Sequence, residues 1–399
     1  MRVLHVLHTS LPHVCGYSLR SDQILSIQRK DGIDVAVVTS AQQPDDPSDG
    51  VMEHVSYFRT RISRLFPSPI REIQLMWSLA RRLSAVVKDV RPEIIHAHSP
   101  ILVGLPAYFV ARRHKLPFVY EIRDLWENAS VDRGKFAAWS LPYRAARGLE
   151  TWLLRRADAV VTIGETLRKE LCQRANREVA VAPNGVDTES FKSIQPEPRW
   201  LQQWNADDRQ IIAYIGAFQP YEGLEILIKA MRHILPKSNR VHLLIVGDGP
   251  IRSDLEALVK SEDLGANVTF AGRLPHARVN EVYAVADLLV YPRIATLTTE
   301  LTTPLKPLEA LAMEKAVLAS NLPAMRELIS DQETGILFEP GNSTDLAEKA
   351  LGLLADRSLR NRLGREGRTR ALRDRRWETV VAVYQPVYRK LLEPSNRLR

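Results

Sequence analysis

The feature that most constrains the fold is an alternation of short apolar runs with amphipathic segments, and it occurs twice along the chain. Amphipathic helical stretches such as 17–30 and 224–234 follow or separate these runs. Such an alternation is typical of parallel, doubly wound sheets, so we predict two α/β domains in tandem. The predicted strands are 3–8, 35–39, 93–97, 118–121 and 159–163, then 211–215, 241–246, 268–270, 288–291 and 316–319.

The length of 399 residues also favours more than one hydrophobic core. The segment 193–198 contains two prolines and is typical of a linker. We therefore predict a first domain over 1–195 and a second over 196–376. The C-terminal helix, 377–399, is expected to pack back on the first domain.

Composition narrows the class of partner. No apolar run approaches the ~18 residues of a membrane-spanning helix. The two cysteines, Cys15 and Cys172, form no disulfide framework, which favours a cytoplasmic protein with reduced thiols. The net charge of +8 suits anionic partners such as nucleotides, sugar phosphates and anionic lipid. No zinc-finger spacing or RNA-binding aromatic motif is present, so nucleic acid is not an expected partner.

Ligands of open parallel sheets bind beyond the carboxyl ends of the strands. The loop after the first strand holds a single glycine, Gly16, which is either a turn residue or a point where backbone approaches a ligand. It is not the G-x-G-x-x-G of a dinucleotide site. Arg123, Asp124 and Asn184 also follow strands and are candidates for contact with a ligand.

Two histidines end the strand at 93–97. His96 and His98 lie on one face of the strand because side chains alternate. A zinc site needs a third ligand, which the spacing does not supply, so we predict no metal site. His98, at the strand end, is the one expected to meet substrate.

Glycines recur after strands in the second half. Gly216 follows one strand, and Gly247, Asp248 and Gly249 follow the next. Glycines at such positions allow backbone N–H groups to face a phosphate. Each glycine alone is weak support, and the two loops together predict a phosphate site in the second domain.

The stretch "TPLKPLEALA", 303–312, places two charges at the start of an apolar helix. Pro307 suits a first helical turn. Lys306 would add a full positive charge to the amide-rich helix start, and Glu309 would accept hydrogen bonds from sugar hydroxyls. Thr303 and Leu305 would line the same site. The alternative is a glutamate that favours the helix dipole and a solvated lysine.

With these residues in hand, the chain resembles the retaining glycosyltransferases of family 4, which have the GT-B fold, over nearly its whole length. Within them it resembles a subgroup linked to exopolysaccharide assembly in bacteria with exosortase systems. The stretches that carry the resemblance include "PEIIHAHSP", "VYEIRDLWENASVDRG", "VAPNGVD", "YIGAFQPYEGLEILIKAM", "LLIVGDGP", "VTFAGRLPH", "ADLLVYPR" and "TPLKPLEALAMEKAVLAS".

The resemblance implies two Rossmann-like domains that face each other across a cleft. The first would bind the acceptor, with Arg123, Asp124 and Asn184 as its predicted contacts, and the second would bind the nucleotide-sugar donor. Lys306 matches the basic residue that meets the diphosphate, Glu309 the glutamate that holds the ribose, and His98 the histidine that reaches the transferred sugar. Gly16 matches a glycine loop near the donor phosphates, and 247–250 would lie beneath the base or sugar.

The chain departs from the family pattern in its charged residues. The family usually has two glutamates eight positions apart, but Leu301 stands eight before Glu309 and Glu300 is one position out of register. The pairs 216–217 and 222–223 lack the basic residue often found in each.

A further departure is Arg123-Asp124, which stands where many relatives have His-Asp. The missing basic residues leave more of the phosphate charge to Lys306, with help from Arg273 or Arg293. An altered donor or an inactive relative would both fit these departures.

The reaction implied is transfer of a sugar, with retention, from a nucleotide diphosphate sugar to a glycan or a lipid-linked acceptor. No Asp-x-Asp motif occurs, so metal independence and no cofactor are predicted. A nucleotide-sugar 2-epimerase and a non-catalytic nucleotide-sugar binder are the alternatives. Peripheral contact with the inner membrane is a further expectation, because arginines surround 65–66 and 75–77; they are Arg59, Arg61, Arg64, Arg71, Arg81 and Arg82.

Overall fold

The computed structural model describes residues 1–43, 48–52, 54–62, 64–68, 70–204, 206–275 and 278–393. The end of the predicted C-terminal helix, 394–399, lies outside them. The chain divides into two compact units: Met1–Asn184 with the segment from Trp377 onward form the first, and Gly185–Arg376 form the second. The boundary predicted from the sequence, at 195, lies within the second unit, which begins at Gly185. The predicted linker belongs to this unit because it leads into a short helix whose Trp200 is buried in the core of the second unit.

The first unit contains an eight-stranded sheet in the order β3-β4-β2-β1-β5-β6-β7-β8. All adjacent pairs are parallel except β3 with β4. The central strands carry apolar and β-branched residues on both faces, and these residues are buried, as is usual in parallel sheets. The strands are β1 Arg2–Leu7, β2 Asp34–Thr39, β3 Gly50–Met52, β4 Val55–Arg59, β5 Ile94–His98, β6 Phe118–Ile122, β7 Ala159–Thr162 and β8 Ala180–Val181.

Helices connect these strands. The longest carries a stripe of buried leucines and valines at helical spacing, which packs it on the sheet. The helices are α1 Gly16–Lys30, α2 Ile70–Val90, α3 Ile101–Arg113, α4 Trp126–Asp132, α5 Leu141–Arg156 and α6 Glu165–Ala175.

The second unit contains a six-stranded parallel sheet in the order β11-β10-β9-β12-β13-β14. Its strands are β9 Gln210–Ile215, β10 Val241–Val246, β11 Val268–Gly272, β12 Leu288–Tyr291, β13 Val317–Ser320 and β14 Ile336–Phe338. Its helices are α7 Pro198–Gln203, α8 Leu224–Ile234, α9 Arg252–Ser261, α10 Val279–Val285, α11 Lys306–Ala312, α12 Pro323–Arg326, α13 Ser343–Ala355 and α14 Arg357–Asp374.

The C-terminal segment returns to the first unit as two helices, α15 Trp377–Val381 and α16 Tyr384–Leu392, rather than one. Tyr384 and Tyr388 of α16 are fully buried there. Within the described residues, no helix combines the length and the apolar character needed to cross a membrane.

Both sheets reverse their strand order at one position. In the first unit the reversal lies between β1 and β5, and in the second between β9 and β12. The loops diverge at such a point and leave a crevice at the carboxyl ends of the strands. The doubly wound α/β fold is confirmed, and these two crevices are where functional residues should lie.

Candidate functional site

The crevice of the second unit is built on closely packed glycines. A Cβ on Gly247 would lie 1.8 Å from the carbonyl oxygen of Gly216, and a Cβ on Gly249 would lie 2.4 Å from that of Phe218. Gly247 also has φ of +134°, where side chains are strained. These glycines are needed because the loops after β9 and β10 touch through their backbones.

The glycine amides already have partners within the protein. Gly216 N–H donates to Val246 O at 2.9 Å, and Gly247 N–H donates to Gly272 O at 2.9 Å. Gly249 N–H donates to the Asp248 carboxylate at 2.9 Å. The expectation that these amides face a phosphate is therefore not met, because the loops use them to hold each other. What the glycines supply to the crevice is space.

Lys306 occupies that space. A Cβ on Gly216 would lie 2.3 Å from both Cε and Nζ of the lysine, so its side chain runs directly over the Gly216 backbone. Nζ donates to the Tyr214 hydroxyl at 2.9 Å and lies 3.2 Å from the Glu222 carboxylate. The Lys306 side chain is 22% exposed. Its ammonium is thus held at the reversal point of the sheet and is still reached by solvent.

Glu222 is the counter-ion that the sequence did not lead us to expect. It is buried, and its carboxylate lies 3.9 Å from Nε of Arg293 as well as next to Lys306. Burial alone would raise the pKa of the Glu222 carboxyl, but Lys306 and then Arg293 hold it below its ordinary value. Two cations share one anion, so the group keeps a net charge of +1.

Glu309 lies in the first turn of α11, as predicted. The hydroxyl of Tyr283 donates to its carboxylate at 2.9 Å, and the hydroxyl of Tyr291 donates to Lys306 O at 3.0 Å. Burial, and after it the Glu309 charge, raises the pKa of Tyr283 well above its ordinary range, so the tyrosine remains a donor. The carboxylate is therefore held in a fixed orientation at the helix start.

The helix start itself offers less to an anion than the sequence suggested. α11 spans seven residues, and Pro307 has no N–H. The amides of Leu308 and Glu309 both donate to Leu305 O, at 3.0 and 3.4 Å. The ammonium of Lys306 is consequently the main positive group here.

The other predicted donor residues lie in the same unit but differ in exposure. Thr303 is buried and Leu305 is half-buried before α11, whereas Glu300 is exposed. Arg273 is 79% exposed and lies 3.7 Å from the Asp248 carboxylate. Arg293, not Arg273, is the arginine that shares a partner with Lys306.

The crevice of the first unit is filled by a buried polar cluster. Strand register assembles it: His5 on β1 pairs with His96 on β5, and His98 pairs with Glu121 on β6. Because β1, β5 and β6 are adjacent and side chains alternate, all four side chains project on one face. All four are at most 1% exposed.

The cluster contains a chain of hydrogen bonds, in which α1 contributes Gln28 and α16 contributes Tyr388. From donor to acceptor the chain runs Arg123 to His98 (2.7 Å), His98 to His5 (3.0 Å), His5 to Gln28 (2.9 Å), Gln28 to Tyr388 (3.1 Å) and Tyr388 to His96 (2.7 Å). The chain ends at His96, whose Nε2 lies 3.5 Å from the Glu121 carboxylate without a hydrogen bond to it.

The direction of the chain, from donor to acceptor, follows from one residue. Arginine can only donate, so Nδ1 of His98 must accept from Arg123. The proton of His98 is then on Nε2, which donates to Nδ1 of His5. Burial lowers the pKa of His5 to about 3 and that of His98 to about 4, so both imidazoles are neutral at pH 7.

The same cluster bears on metal binding. Three imidazoles, those of His5, His96 and His98, offer ligand atoms that lie within 4.8 Å of one another. His5 is the third ligand that spacing along one strand did not supply. The nitrogen lone pairs of His5 and His98 already accept hydrogen bonds from protein donors. In the tautomers that this chain of hydrogen bonds sets, those lone pairs are not available to a metal.

Glu121 carries the negative charge of the cluster. It accepts from Nε of Arg20 at 3.2 Å, from Nε of Arg123 at 2.9 Å and from the hydroxyl of Tyr384 at 2.6 Å. Burial would raise the pKa of its carboxyl, but Arg123 and Arg20 hold that pKa well below its ordinary value. A fully buried carboxylate between two arginines is a structural element, and its signal in the sequence was a lone acid within an apolar strand.

The predicted acceptor residues are placed unequally. Arg123 is buried in the cluster, and Asn184 is buried against Arg20. His98 is 1% exposed with both ring nitrogens bonded, so it does not present a free nitrogen to a substrate. Asp124 is half-buried and accepts from Ser99 at 3.2 Å, and Gly16 is exposed at the start of α1.

Comparison with known proteins agrees with this architecture. Residues 23–190 match the family model described as Glycosyltransferase Family 4, and residues 197–370 match the one described as Glycosyl transferases group 1. The chain is 26% identical over 374 residues to the sulfoquinovosyl transferase of Arabidopsis thaliana, covering 92% of this chain and 69% of that protein. It is 26% identical over 366 residues to a GDP-mannose-dependent alpha-mannosyltransferase of Mycolicibacterium smegmatis, covering 90% of each.

Solved structures show the same fold. Sucrose-phosphate synthase from Thermosynechococcus elongatus superposes with a TM-score of 0.80 at 22% identity, covering 98% of this chain and 99% of that one. Anabaena HepE in complex with UDP gives a TM-score of 0.75 at 18% identity, with the same coverage. The chain is a nucleotide-sugar glycosyltransferase with the GT-B fold, similar to family 4 in its first half and to group 1 in its second.

Proposed function

We propose that the protein transfers a sugar, with retention and without a metal, from a nucleotide diphosphate sugar to a glycan or lipid-linked acceptor. The product would be a bacterial exopolysaccharide or another cell-surface glycan. The observation that carries the proposal is that the partly exposed Lys306 side chain and the oriented Glu309 carboxylate both lie in the first turn of α11, at the sheet reversal of the second unit. A cation for phosphate next to an acceptor for hydroxyls suits a nucleoside diphosphate.

In this proposal Lys306 stabilises the negative charge that develops on the leaving nucleotide. Fixed charges aimed at a developing anion are usually the largest contribution to catalysis. The donor phosphate would take up the Lys306 contact now made by Glu222, while Arg293 remains near the Glu222 carboxylate. Glu309 would accept from the ribose hydroxyls, in the orientation that Tyr283 imposes.

Retention is proposed to follow from attack on the face that the nucleotide leaves, with the departing phosphate accepting the acceptor's proton. The family resemblance supports this route. Metal independence is supported by the lack of an Asp-x-Asp motif in the sequence. His98 is proposed to act as a positioning residue, because it accepts a hydrogen bond from the Arg123 side chain, and the backbone N–H of Arg123 donates to the Ser99 hydroxyl. Asp124 is the acceptor-side carboxylate of this proposal.

The test is a thermal-shift screen with nucleotide diphosphate sugars, beginning with UDP-glucose and GDP-mannose. One donor should raise the melting temperature, and Lys306→Ala and Glu309→Ala should each abolish that shift. Lys237→Ala is the matched control, because Lys237 is an exposed lysine of the same unit. If Lys306→Ala and Glu309→Ala shift like the wild type, the donor site is elsewhere.

Turnover with that donor tests the chemistry. Transfer to a lipid-linked acceptor should persist in excess chelator, and NMR should show the donor's anomeric configuration in the product. Loss of transfer on chelation would refute metal independence. A product of inverted anomeric configuration would refute retention. Relatives named as transferases do not favour an epimerase or a non-catalytic binder. Formation of epimerised sugar from the donor alone would instead support an epimerase.

A further inference from the structure

Large apolar side chains are exposed together at the start of α2 and in the loop before it. Ile73 is 62% exposed and Trp77 is 63% exposed, and with Ile70 they repeat at helical spacing on the face opposite the buried leucines. Leu65 and Phe66 of the preceding loop are 49% and 51% exposed. These five residues, Leu65, Phe66, Ile70, Ile73 and Trp77, are called the apolar surface below.

One side chain ties the loop to the helix. The amide oxygen of Gln74 accepts from Phe66 N–H at 3.2 Å, and its amide nitrogen donates to Arg64 O at 2.8 Å. The loop residues therefore lie beside the exposed stripe of α2. An apolar group of this kind on a protein surface commonly marks an interaction site.

The charges around the apolar surface are mostly positive. Between residues 61 and 81 the acids are limited to Glu72, which Arg71 pairs at 3.4 Å. Arg64 is exposed, and the exposed Arg81 lies 5.7 Å from the centre of the Trp77 ring. Apolar side chains rimmed by arginines complement a surface of anionic headgroups over hydrocarbon.

The structure corrects which of the predicted basic residues can contribute. Arg59 is buried and donates to Ser10 and Leu11. Arg82 is paired with Asp49. Leu75, part of the predicted apolar stretch, faces the core. The exposed arginines Arg64 and Arg81 remain the strongest candidates.

We propose that the apolar surface and its arginines bind the face of an anionic lipid bilayer. Phe66 and Trp77 enter the interface between headgroups and hydrocarbon, and Arg64 and Arg81 contact the lipid phosphates. This surface lies within the first unit, and the proposal does not depend on the donor site. A protein held in this way would work where a lipid-linked acceptor is found.

The test is co-sedimentation of the full-length protein with vesicles of phosphatidylcholine, with and without phosphatidylglycerol. The wild type should bind the anionic vesicles, and its binding should weaken as salt rises. Phe66→Ser with Trp77→Ser should lower the partition coefficient by about tenfold or more. Arg64→Ser with Arg81→Ser should lower it by about 25-fold, roughly fivefold for each arginine.

The controls are Leu372→Ser and Lys237→Ser, which change an exposed leucine and an exposed lysine of the second unit and should leave binding unchanged. The proposal would be overturned if the protein bound neutral and anionic vesicles equally. It would also be overturned if one of the two double variants bound anionic vesicles as well as the wild type does. A concentration-dependent dimer in sedimentation velocity that Trp77→Ser abolishes while vesicles bind nothing would overturn it too, since the apolar surface would then join two copies. No donor or acceptor is present, so failure here leaves the transferase proposal intact.

Discussion

Replacing Glu121 by glutamine should strongly destabilise the first unit. The substitution keeps the side-chain shape and removes the charge that two arginines share. The carboxylate is 0% exposed and lies 3.2 and 2.9 Å from the Nε atoms of Arg20 and Arg123. Removing one partner from a buried ion pair typically costs about 3–5 kcal/mol, because the remaining charge stays buried without compensation. That is a large share of the ~5–15 kcal/mol that stabilises a domain.

Native-state hydrogen exchange on peptides from β5 and β6 would measure this loss within the first unit, because exchange reports the local free energy of opening. Glu165→Gln is the matched control: its carboxylate lies 2.7 Å from Arg168 in a solvent-exposed pair, and exchange should be unchanged. If Glu121→Gln does not yield folded protein, Tyr384→Phe removes one bond to the carboxylate and should cost about 1.5–3 kcal/mol. A loss below ~1 kcal/mol in Glu121→Gln would refute the reasoning, since buried guanidiniums would then be tolerated without their anion. Where only Tyr384→Phe folds, a loss below ~1 kcal/mol would refute it as well, since the buried carboxylate would then not need its hydrogen bonds.

Three further predictions follow from the two crevices. In the unfolded state His5 and His98 take up protons near pH 6.5, whereas the folded state holds their pKa values at about 3 and about 4. The free energy of unfolding should therefore fall as the pH drops below 6.5, by about 2 kcal/mol per imidazole at pH 5, which urea unfolding would measure. Glu222→Gln raises the net charge of the cluster that Glu222 forms with Lys306 and Arg293 from +1 to +2. It should tighten UDP binding by about tenfold, as measured by calorimetry. Weaker binding would mean that the carboxylate mainly positions the ammonium. Gly247→Ala should cost about 3 kcal/mol or more in urea unfolding, because its Cβ would overlap a carbonyl oxygen, whereas Gly265→Ala, with nothing within 4 Å, should be nearly neutral.

The central strands could be predicted from the sequence because they are buried on both faces and read as continuous apolar runs. β9, β10 and β12 were placed within one residue at each end. β3 and β4, at the edge of the first sheet, were missed. β4 alternates buried with half-buried residues, so its apolar signal is weaker, and β3 has three residues. β14, also three residues long, was missed at the edge of the second sheet.

Part of the candidate site was anticipated from the sequence, and its role in binding stays a prediction. Lys306 and Glu309 were singled out because a charge at the start of an apolar helix needs a local explanation. Their partners could not be found, since Tyr214, Glu222 and Tyr283 come from three separate elements that only the fold brings together. Spacing along a strand reveals neighbours two residues apart, whereas contacts between strands depend on register.

The histidines show the same limit. Alternation placed His96 and His98 on one face, but the third imidazole depends on the pairing of β1 with β5. Arg123 was expected to be at the acceptor surface because it follows a strand. It is buried because Glu121, two residues earlier on the same face, draws the guanidinium inward.

The two sheet reversals resemble each other in topology and differ in how their charges are used. In the first unit two arginines also share one carboxylate, that of Glu121, but both guanidiniums donate further hydrogen bonds to buried oxygens and the imidazoles belong to a buried chain of hydrogen bonds. In the second unit two cations share the single carboxylate of Glu222, and the ammonium of Lys306 is still reached by solvent. An incoming anion can therefore gain from the second crevice a contact that the first cannot offer without breaking buried hydrogen bonds, which cost about 1–3 kcal/mol each to leave unmade. Both clusters hold two cations and one carboxylate, so net charge does not distinguish them. The difference is solvent access, because the side chains of Arg20 and Arg123 are 3% and 6% exposed and that of Lys306 is 22% exposed. This difference is the physical reason for the proposal that the nucleotide binds in the second unit.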